Sequence, residues 1–409
     1  MSVNYDVIII GSGPAGMAAA QTLRRRGIHN IAILEREAHA GGVPRHCQHP
    51  TFGLLAFKRP MKGNQFAERI VKNLGDTPIL TRSSVTQLQP NGVLTVTTPD
   101  GVVEMRAKRI LIATGVRETP RHPRLVSGLR PQGILTAGAL QQFVYLKGQK
   151  PCLNPVIVGS ELVSFSALWT LKNAGVKAKA MIESGERILA FKPASLFAKA
   201  MGTPVYLKSK ITEIGGLDRV EYVMVETAGE IRKIVCDSVI FTGGFVGENT
   251  LIRKSHLNFD ASTGKPVTDQ RSRCSDASYY AAGNMLHPAD MGDQCYQEGV
   301  ITGGYIADDL LANHHQMGVS QGKRLPIQFA EPIRFTVPAC IDMSECMTEK
   351  VDFNIKVNTA ITGTIRVMAG NTLLYEKRHR CLPTRRILLK NIDLTKIQAS
   401  ATEITVTVV

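Results

Sequence analysis

The run Val7-Ile-Ile-Ile10 leads straight into Gly11-Ser-Gly-Pro-Ala-Gly16, and that junction constrains the chain more than any other stretch. Four consecutive apolar residues predict a parallel strand buried on both faces. The three glycines fall at G-x-G-x-x-G spacing, and Met17 to Arg26 predict a helix. In such a turn the first glycine makes the bend and the second leaves bare backbone for a pyrophosphate. The third lets helix and strand pack closely. The phosphates then face the unsatisfied N–H groups and positive dipole end of the helix. A glycine motif alone is weak, so its context decides. Ile31 to Leu34 predict a second strand ending on Glu35, whose carboxylate suits a ribose. Strand, turn, helix, strand and acid in that order read as a dinucleotide-binding unit.

An imperfect copy follows. Val156-Ile-Val-Gly-Ser-Glu-Leu-Val-Ser164 repeats strand, glycine and helix, and Glu183 lies as far beyond Gly159 as Glu35 lies beyond Gly11. Equal spacing predicts two related nucleotide-binding folds. Glu161 and Ser164, however, stand where the first unit has Gly13 and Gly16. A carboxylate there meets the pyrophosphate, and like charges about 4 Å apart repel by roughly 1–4 kcal/mol. The second site is therefore expected to be impaired for NAD(P), with Gly159 and Glu183 as its remaining candidate ligands.

Two more strands end on small residues, which let backbone pass close to a cofactor: Arg109-Ile-Leu-Ile-Ala-Thr-Gly115 and Ser278-Tyr-Tyr-Ala-Ala-Gly-Asn284. Ser238–Thr242 predicts a strand running into Gly243-Gly244. Helices are predicted over Asn64–Leu74, Thr136–Lys147 and Glu298–Ala312, and a hairpin joins Gly92–Thr98 to Val102–Arg106. The expected fold class is α/β. It comprises two Rossmann-like domains, the first discontinuous (1–117 and 240–315) and the second over 118–239. From about Phe329 the pattern changes to short strands, Val351–Val357, Thr362–Val367, Thr372–Tyr375 and Ile404–Val409. Residues 330–409 therefore predict a small C-terminal all-β domain, Ig-like or a meander.

Composition narrows the function classes. Hydrophobic residues at 44% and charged residues at 20% describe a globular chain. No apolar run approaches the roughly 18 residues of a membrane span, and the N-terminus lacks a signal-peptide pattern, so a cytoplasmic location is expected. Cysteines 47, 152, 236, 274, 295, 340, 346 and 381 include no C-x-x-C pair. That spacing argues against a metal site, a cysteine-ligated iron–sulfur cluster or a thioredoxin-like dithiol, and predicts reduced, buried thiols. The net charge of +15 is spread along the chain, with one Trp and no basic stripe interleaved with aromatics, which argues against nucleic acid. A polyanionic cofactor, an acidic partner subunit, an anionic membrane surface or plain solvation accounts for the excess.

Taken together, Gly11–Gly16, Glu35, Gly41-Gly42, Ala113-Thr-Gly115 and Ala281-Ala-Gly-Asn284 occur in an order that resembles the two-dinucleotide-domain flavoproteins of the pyridine-nucleotide–disulfide oxidoreductase superfamily. The resemblance covers residues 1 to about 315. It implies FAD, with Gly11, Gly13, Pro14, Ala15 and Gly16 at the pyrophosphate and Glu35 at the adenosine ribose. Arg36, Gly42, Val85, Ala113, Thr114 and Gly115 are implied as further FAD-lining residues, with Gly283 and Asn284 at the ribityl–pyrophosphate region. Asn284 stands where the family has Asp, and its amide still suits hydroxyls or phosphate. Arg117-Glu-Thr-Pro-Arg121, Arg130 to Gln141 and Cys47-Gln-His-Pro-Thr-Phe-Gly53 resemble a branch of flavoprotein subunits found in opine and amino-acid oxidases, hydrogen cyanide synthase and glycerol-3-phosphate operons. Disulfide reductases of the family carry two cysteines, four residues apart, after the Gly-Gly pair. Only Cys47 occurs here, so dithiol–disulfide reductase activity is expected to be excluded.

By the same resemblance the Gly41-Gly42 loop runs toward the isoalloxazine, which makes Cys47 and His49 the candidate catalytic residues, with His46 beside them. Cys47 is expected either as a low-pKa thiolate near Arg45 or as a buried thiol in a loop packed by Pro44, Pro50, Phe52 and Gly53. His49 is expected either as a proton relay titrating near neutrality or as a ring bonded to a backbone carbonyl. His287, Asp293, Cys295 and Glu298 lie near the start of a helix expected to point at the flavin, with Asp293 as its cap. Three functions follow. The first is the flavoprotein component of an FAD-dependent dehydrogenase or oxidase that takes a small amine, amino-acid, opine or hydroxy substrate. It would pass electrons to a partner subunit, iron–sulfur or a second flavoprotein, in an oligomer. The second is an NAD(P)H-dependent flavin reductase serving a partner, and the third a non-redox FAD-bearing binding subunit.

Overall fold

The computed structural model describes residues 3–190, 192–312, 322–344, 350–383 and 385–409. The chain forms two compact units. The first takes in Met1–Gly42, Arg69–Gly115 and Gly247–Val409, and the second Val43–Glu68 and Val116–Val246. Residues 43–68, expected within the first domain, thus group with the second unit, and the C-terminal strands group with the first.

In the first unit the apolar run is a strand, Val3–Ile10, paired in parallel with Ile31–Leu34 on one side and Gly101–Ile112 on the other. Tyr279–Ala281 returns from far along the chain to pair with the end of Gly101–Ile112. The stretches 102–106 and 109–112, expected as separate strands, are one 12-residue strand whose outer half is largely exposed and whose last three residues are buried. Ile8, Ile10, Ala32, Leu34, Ile110, Ile112 and Tyr279 fill one layer of core beneath the sheet.

The glycine turn is followed by the helix Pro14–Arg25, on which the 20-residue helix Gly292–Leu311 packs. This second helix starts six residues earlier than Glu298, at Gly292, a poor helix former that hides the first turn in the sequence. The glycines let the two helices approach closely: a Cβ on Gly303 would lie 2.8 Å from the Ala19 Cα. Asp293 is not the cap. It sits buried in the first turn, while the Gln294 Oε1 accepts the Met291 N–H at 3.0 Å.

The second unit repeats the plan. Its parallel sheet runs Val205–Tyr206, Ala180–Ile182, Pro155–Val158, Ser238–Phe241 and Ile134–Thr136, with the helix Leu162–Asn173 after the second turn. An antiparallel meander, Ser209–Gly215, Tyr222–Thr227 and Glu230–Val235, completes it.

The C-terminal region begins earlier than predicted, at the strand Arg324–Phe329. It is a two-sheet sandwich, with five strands in one sheet and three in the other among the described residues. Phe353, Ile355, Ile365, Val367, Leu389, Ile404 and Val406 form its core. Arg324–Phe329 pairs in parallel with Ile404–Val408, a long-range closure that rules out a simple meander. The seven described cysteines are free and buried; Cys346 lies outside the described residues. Among the described residues no helix is long and apolar enough to cross a membrane.

Candidate functional site

In the first unit the opening strand delivers Gly11 with φ +108°, a left-handed angle that glycine takes without strain. A Cβ there would run into the Ala113 carbonyl, so the end of the Gly101–Ile112 strand passes directly against the turn. A Cβ on Gly42 would lie 2.8 Å from the Gly13 Cα, and one on Gly283 2.8 Å from the Ala15 Cβ. Three motifs distant in sequence therefore meet around residues 11–16. Gly13 itself faces open space, for a Cβ there meets nothing within 4 Å. A bare backbone opening at a helix N-terminus, walled by other small residues, fits the pyrophosphate of a dinucleotide.

Glu35 is buried beside this turn. One carboxylate oxygen accepts from the Ser12 N–H (3.1 Å) and hydroxyl, the other from the Glu37 N–H (2.8 Å). An ionised carboxylate offers about four acceptor positions, so one remains for a ribose hydroxyl. Thr114 donates its hydroxyl to the Glu248 carbonyl at 2.8 Å, and the Glu248 N–H returns to the Gly115 carbonyl at 2.9 Å. Glu248 also stands 3.8 Å from the largely exposed Arg36 guanidinium. This brace escaped sequence reading; the Gly243-Gly244 turn before it was its only trace. Val85 is half-buried on the strand Ser84–Gln89. The Asn284 amide is engaged in both directions with the Asp290 backbone, donating to its carbonyl (3.1 Å) and accepting its N–H (2.9 Å).

In the second unit the repeat extends to individual hydrogen bonds. Gly159 has φ +115° and donates to the Ile182 carbonyl as Gly11 does to that of Leu34, each at 2.8 Å. Glu183 accepts from the Ser160 hydroxyl and from the Gly185 N–H (2.7 Å), as Glu35 does from Ser12 and Glu37. Glu161 adopts φ −73°, ψ 173°, nearly the conformation of Gly13 at φ −76°, ψ −178°. Its carboxylate lies against Gly243, where an added Cβ would stand 2.5 Å from it. Arg124 feels that charge and is fixed nearby, donating to the Thr242 (2.9 Å) and Gly243 (2.8 Å) carbonyls. The second turn thus keeps the Glu183 hydrogen bonds and carries Glu161 where the first turn has the bare backbone of Gly13.

Cys47 and His49 belong to the second unit, in the segment that directly follows Gly42 in the chain. Cys47 is buried, and its thiol is shared between the Val43 carbonyl (3.5 Å) and the Gln141 Oε1 (3.6 Å). Burial, and then the Glu118 charge, push the thiol up to about 12. The expected low-pKa thiolate is thereby corrected: at neutral pH Cys47 is a thiol. Alkylation of the native protein at pH 8 should leave Cys47 unmodified by peptide mapping and label it after denaturation; rapid native labelling would contradict its burial. Burial also lowers His49 to about 4, away from the expected titration near neutrality, and lowers His46 to about 4 with help from Arg45. His49 is therefore neutral at pH 7, with Nδ1 2.8 Å from the Thr51 hydroxyl and its ring stacked on Phe52.

The sequence profile of the pyridine nucleotide-disulphide oxidoreductases matches residues 5–318. An opine oxidase subunit of Rhizobium meliloti is 26% identical over 310 residues, 68% of this chain and 58% of that protein. The chain thus spans about three fifths of the length of that relative. Dihydrolipoyl dehydrogenase of Rhizobium etli is 24% identical over 413 residues, 87% of this chain and 81% of that protein. Among solved structures, thioredoxin reductase of T. acidophilum superposes with a TM-score of 0.64 at 23% identity, covering 75% of this chain and 99% of that one, a likeness of fold. The expected exclusion of dithiol–disulfide reductase activity is overturned by these relatives. The chain is about as similar to a dihydrolipoyl dehydrogenase as to an opine oxidase subunit, and it shares its fold with a thioredoxin reductase. The exclusion assumed that both sulfurs must follow Gly41-Gly42, whereas a disulfide can also be carried by the substrate.

Proposed function

The chain belongs to the pyridine nucleotide-disulphide oxidoreductase family, whose cofactor is FAD, and from that premise we propose that it is the flavoprotein subunit of a dehydrogenase or oxidase. In this reading it takes electrons from a small amine, amino-acid, opine or hydroxy substrate and passes them to a partner protein. The observation that supports the reading is Glu161, a charged side chain where the first turn has the bare backbone of Gly13, which disfavours a nicotinamide nucleotide as electron donor.

FAD when bound supplies a centre that accepts two electrons as hydride. The chain's own groups would bind and orient it. The backbone at Gly11, Gly13 and Gly16 receives the pyrophosphate, and Glu35 takes the adenosine ribose. Arg36, Gly42, Val85, Ala113, Thr114, Gly115, Gly283 and Asn284 line the remainder. His49, neutral at pH 7, is the group proposed to accept a proton during substrate oxidation, and Cys47, two positions before it in the chain, is a neutral thiol. The sequence holds no clustered cysteines for an iron–sulfur relay, so an electron acceptor of that kind would be another chain. The similarity to an opine oxidase component that is itself a subunit favours such an assembly.

Anaerobic mixing of the oxidised holoprotein with a panel of opines, amino acids, amines and hydroxy acids tests the proposal. Bleaching of the flavin by one class supports it, and His49→Ala should then slow bleaching at least about tenfold. Failure of every organic donor would count against it. A second reading, an NAD(P)H-dependent reductase serving a partner, is favoured by one feature: the intact Ser160–Glu183–Gly185 hydrogen bonds, with Gly159 in the left-handed conformation.

A further inference from the structure

The C-terminal β sandwich reaches the Gly283-Asn284 turn through the Arg386 guanidinium. Arg386 lies just before the strand Ile387–Asp393. Its Nη2 donates to the Glu298 Oε2 at 3.0 Å, and its Nε stands 2.8 Å from the Asp290 Oδ2. The Nε–H does not point along that second contact, which is therefore an ion pair without a hydrogen bond. The Arg386 side chain is 18% exposed, that of Glu298 15% and that of Asp290 7%, so all three charges sit largely away from solvent.

Both carboxylates continue onto the turn. The Gly283 N–H acts on the Glu298 carboxyl and pulls its pKa down. Asp290 holds the Asn284 amide through its own N–H and carbonyl. Lys356, on the sandwich strand Lys350–Val357, donates to the Pro288 carbonyl at 2.6 Å, and Lys265 donates to that of Leu286 at 3.3 Å. The loop from Gly283 to Asp290 is thus gripped by cations from outside the nucleotide-binding sheet.

We propose that the C-terminal sandwich is a built part of the flavin site, with Arg386 as a positioning residue that holds the Gly283-Asn284 turn through Glu298 and Asp290. The proposal rests on the reading that this turn binds FAD. Its physical basis is the two-armed guanidinium: removing it leaves two largely buried carboxylates without their counter-charge, and such groups relax by protonating or by moving. The groups around Glu298 are Arg386, Asp290, His287 (Nε2 at 3.5 Å from Oε1), Lys265 and, on its own helix, Cys295, with Lys356 acting on His287 and Asp290. Burial pushes Glu298 up to about 7, while Arg386 and the Gly283 N–H pull it down. The ionised carboxylate that both of these hold is present above that value and is lost as pH falls through it. Without Arg386 the same loss occurs at higher pH.

FAD titration of the full-length apoprotein across pH 6–8.5, followed by flavin fluorescence, tests the proposal. Wild type should bind FAD more weakly as pH falls through about 7. Arg386→Met should weaken binding at pH 7.5 by about tenfold or more and move the decline to higher pH. Arg386→Lys should recover part of the affinity, and Glu298→Gln should weaken binding and flatten the pH dependence. Arg386→Met and Glu298→Gln variants with wild-type affinity and pH profile would overturn the proposal. Should Arg386→Met not fold, Glu298→Gln and Arg386→Lys decide alone. A wild-type apoprotein that takes up no FAD would overturn the cofactor reading itself, an outcome distinct from equal binding by all variants.

Discussion

Gly13→Glu is expected to fold normally and to lose FAD. The position has an ordinary extended conformation, φ −76° and ψ −178°, and an added Cβ meets nothing within 4 Å, so the fold has no steric objection. The equivalent residue of the second unit is already a glutamate in nearly the same conformation. Stability should change by no more than about 0.5 kcal/mol, as for a substitution free of core contacts. The carboxylate would stand where the pyrophosphate approaches, and repulsion of roughly 1–4 kcal/mol at about 4 Å weakens binding about five- to a thousandfold before any steric conflict. Thermal unfolding of the apoprotein and flavin content after purification read the two halves of the prediction. Full flavin occupancy would show that the pyrophosphate lies elsewhere. Gly11→Val, by contrast, should destabilise the fold itself, because its φ of +108° and the Ala113 carbonyl leave no room for a side chain.

The reciprocal change, Glu161→Gly, is expected to create a nicotinamide site. It removes the carboxylate from above Gly243 and frees Arg124, anchored on the Thr242 and Gly243 carbonyls, to face a phosphate. Gly159, Ser160, Glu183 and Gly185 already reproduce the hydrogen bonds of the first turn. Loss of a repulsion of roughly 1–4 kcal/mol corresponds to a gain in NADH or NADPH affinity of about five- to a thousandfold. Equilibrium titration with each nucleotide measures it, and Glu161→Gln separates charge from bulk. Unchanged affinity in Glu161→Gly would mean that the turn, with Ser164 in place of a third glycine, is closed for another reason.

Local signals make the nucleotide units legible. A buried strand, a glycine turn and a terminal acid lie close together in sequence, and the equal spacing of the copy exposes the repeat. What stays hidden depends on distant contacts. The start of the helix at Gly292 is hard to place, and the glycines that weaken its propensity at 299 and 303 are those that admit Ala15 and Ala19. The parallel pairing of 324–329 with 404–408 closes the sandwich across the whole domain, and no short window encodes it. The ionisation of Cys47 and His49 is misread from sequence for a similar reason. Neighbours in sequence such as Arg45 suggest a thiolate, whereas burial and Glu118 set the thiol. Arg386 reads in the sequence as one more surface cation among 49 basic residues, and only the fold brings it to Asp290 and Glu298.

An intact first turn that holds FAD, beside a second turn that Glu161 denies to a nicotinamide donor, is the central claim. Anaerobic stopped-flow mixing of the wild-type holoprotein with NADH and with NADPH tests it most directly. Neither nucleotide is expected to reduce the bound flavin faster than it reduces free FAD, and the Glu161→Gly flavin is expected to be reduced in a saturable phase. Rapid, saturable bleaching of the wild-type flavin by either nucleotide would contradict the claim and establish the protein as a nicotinamide-dependent reductase.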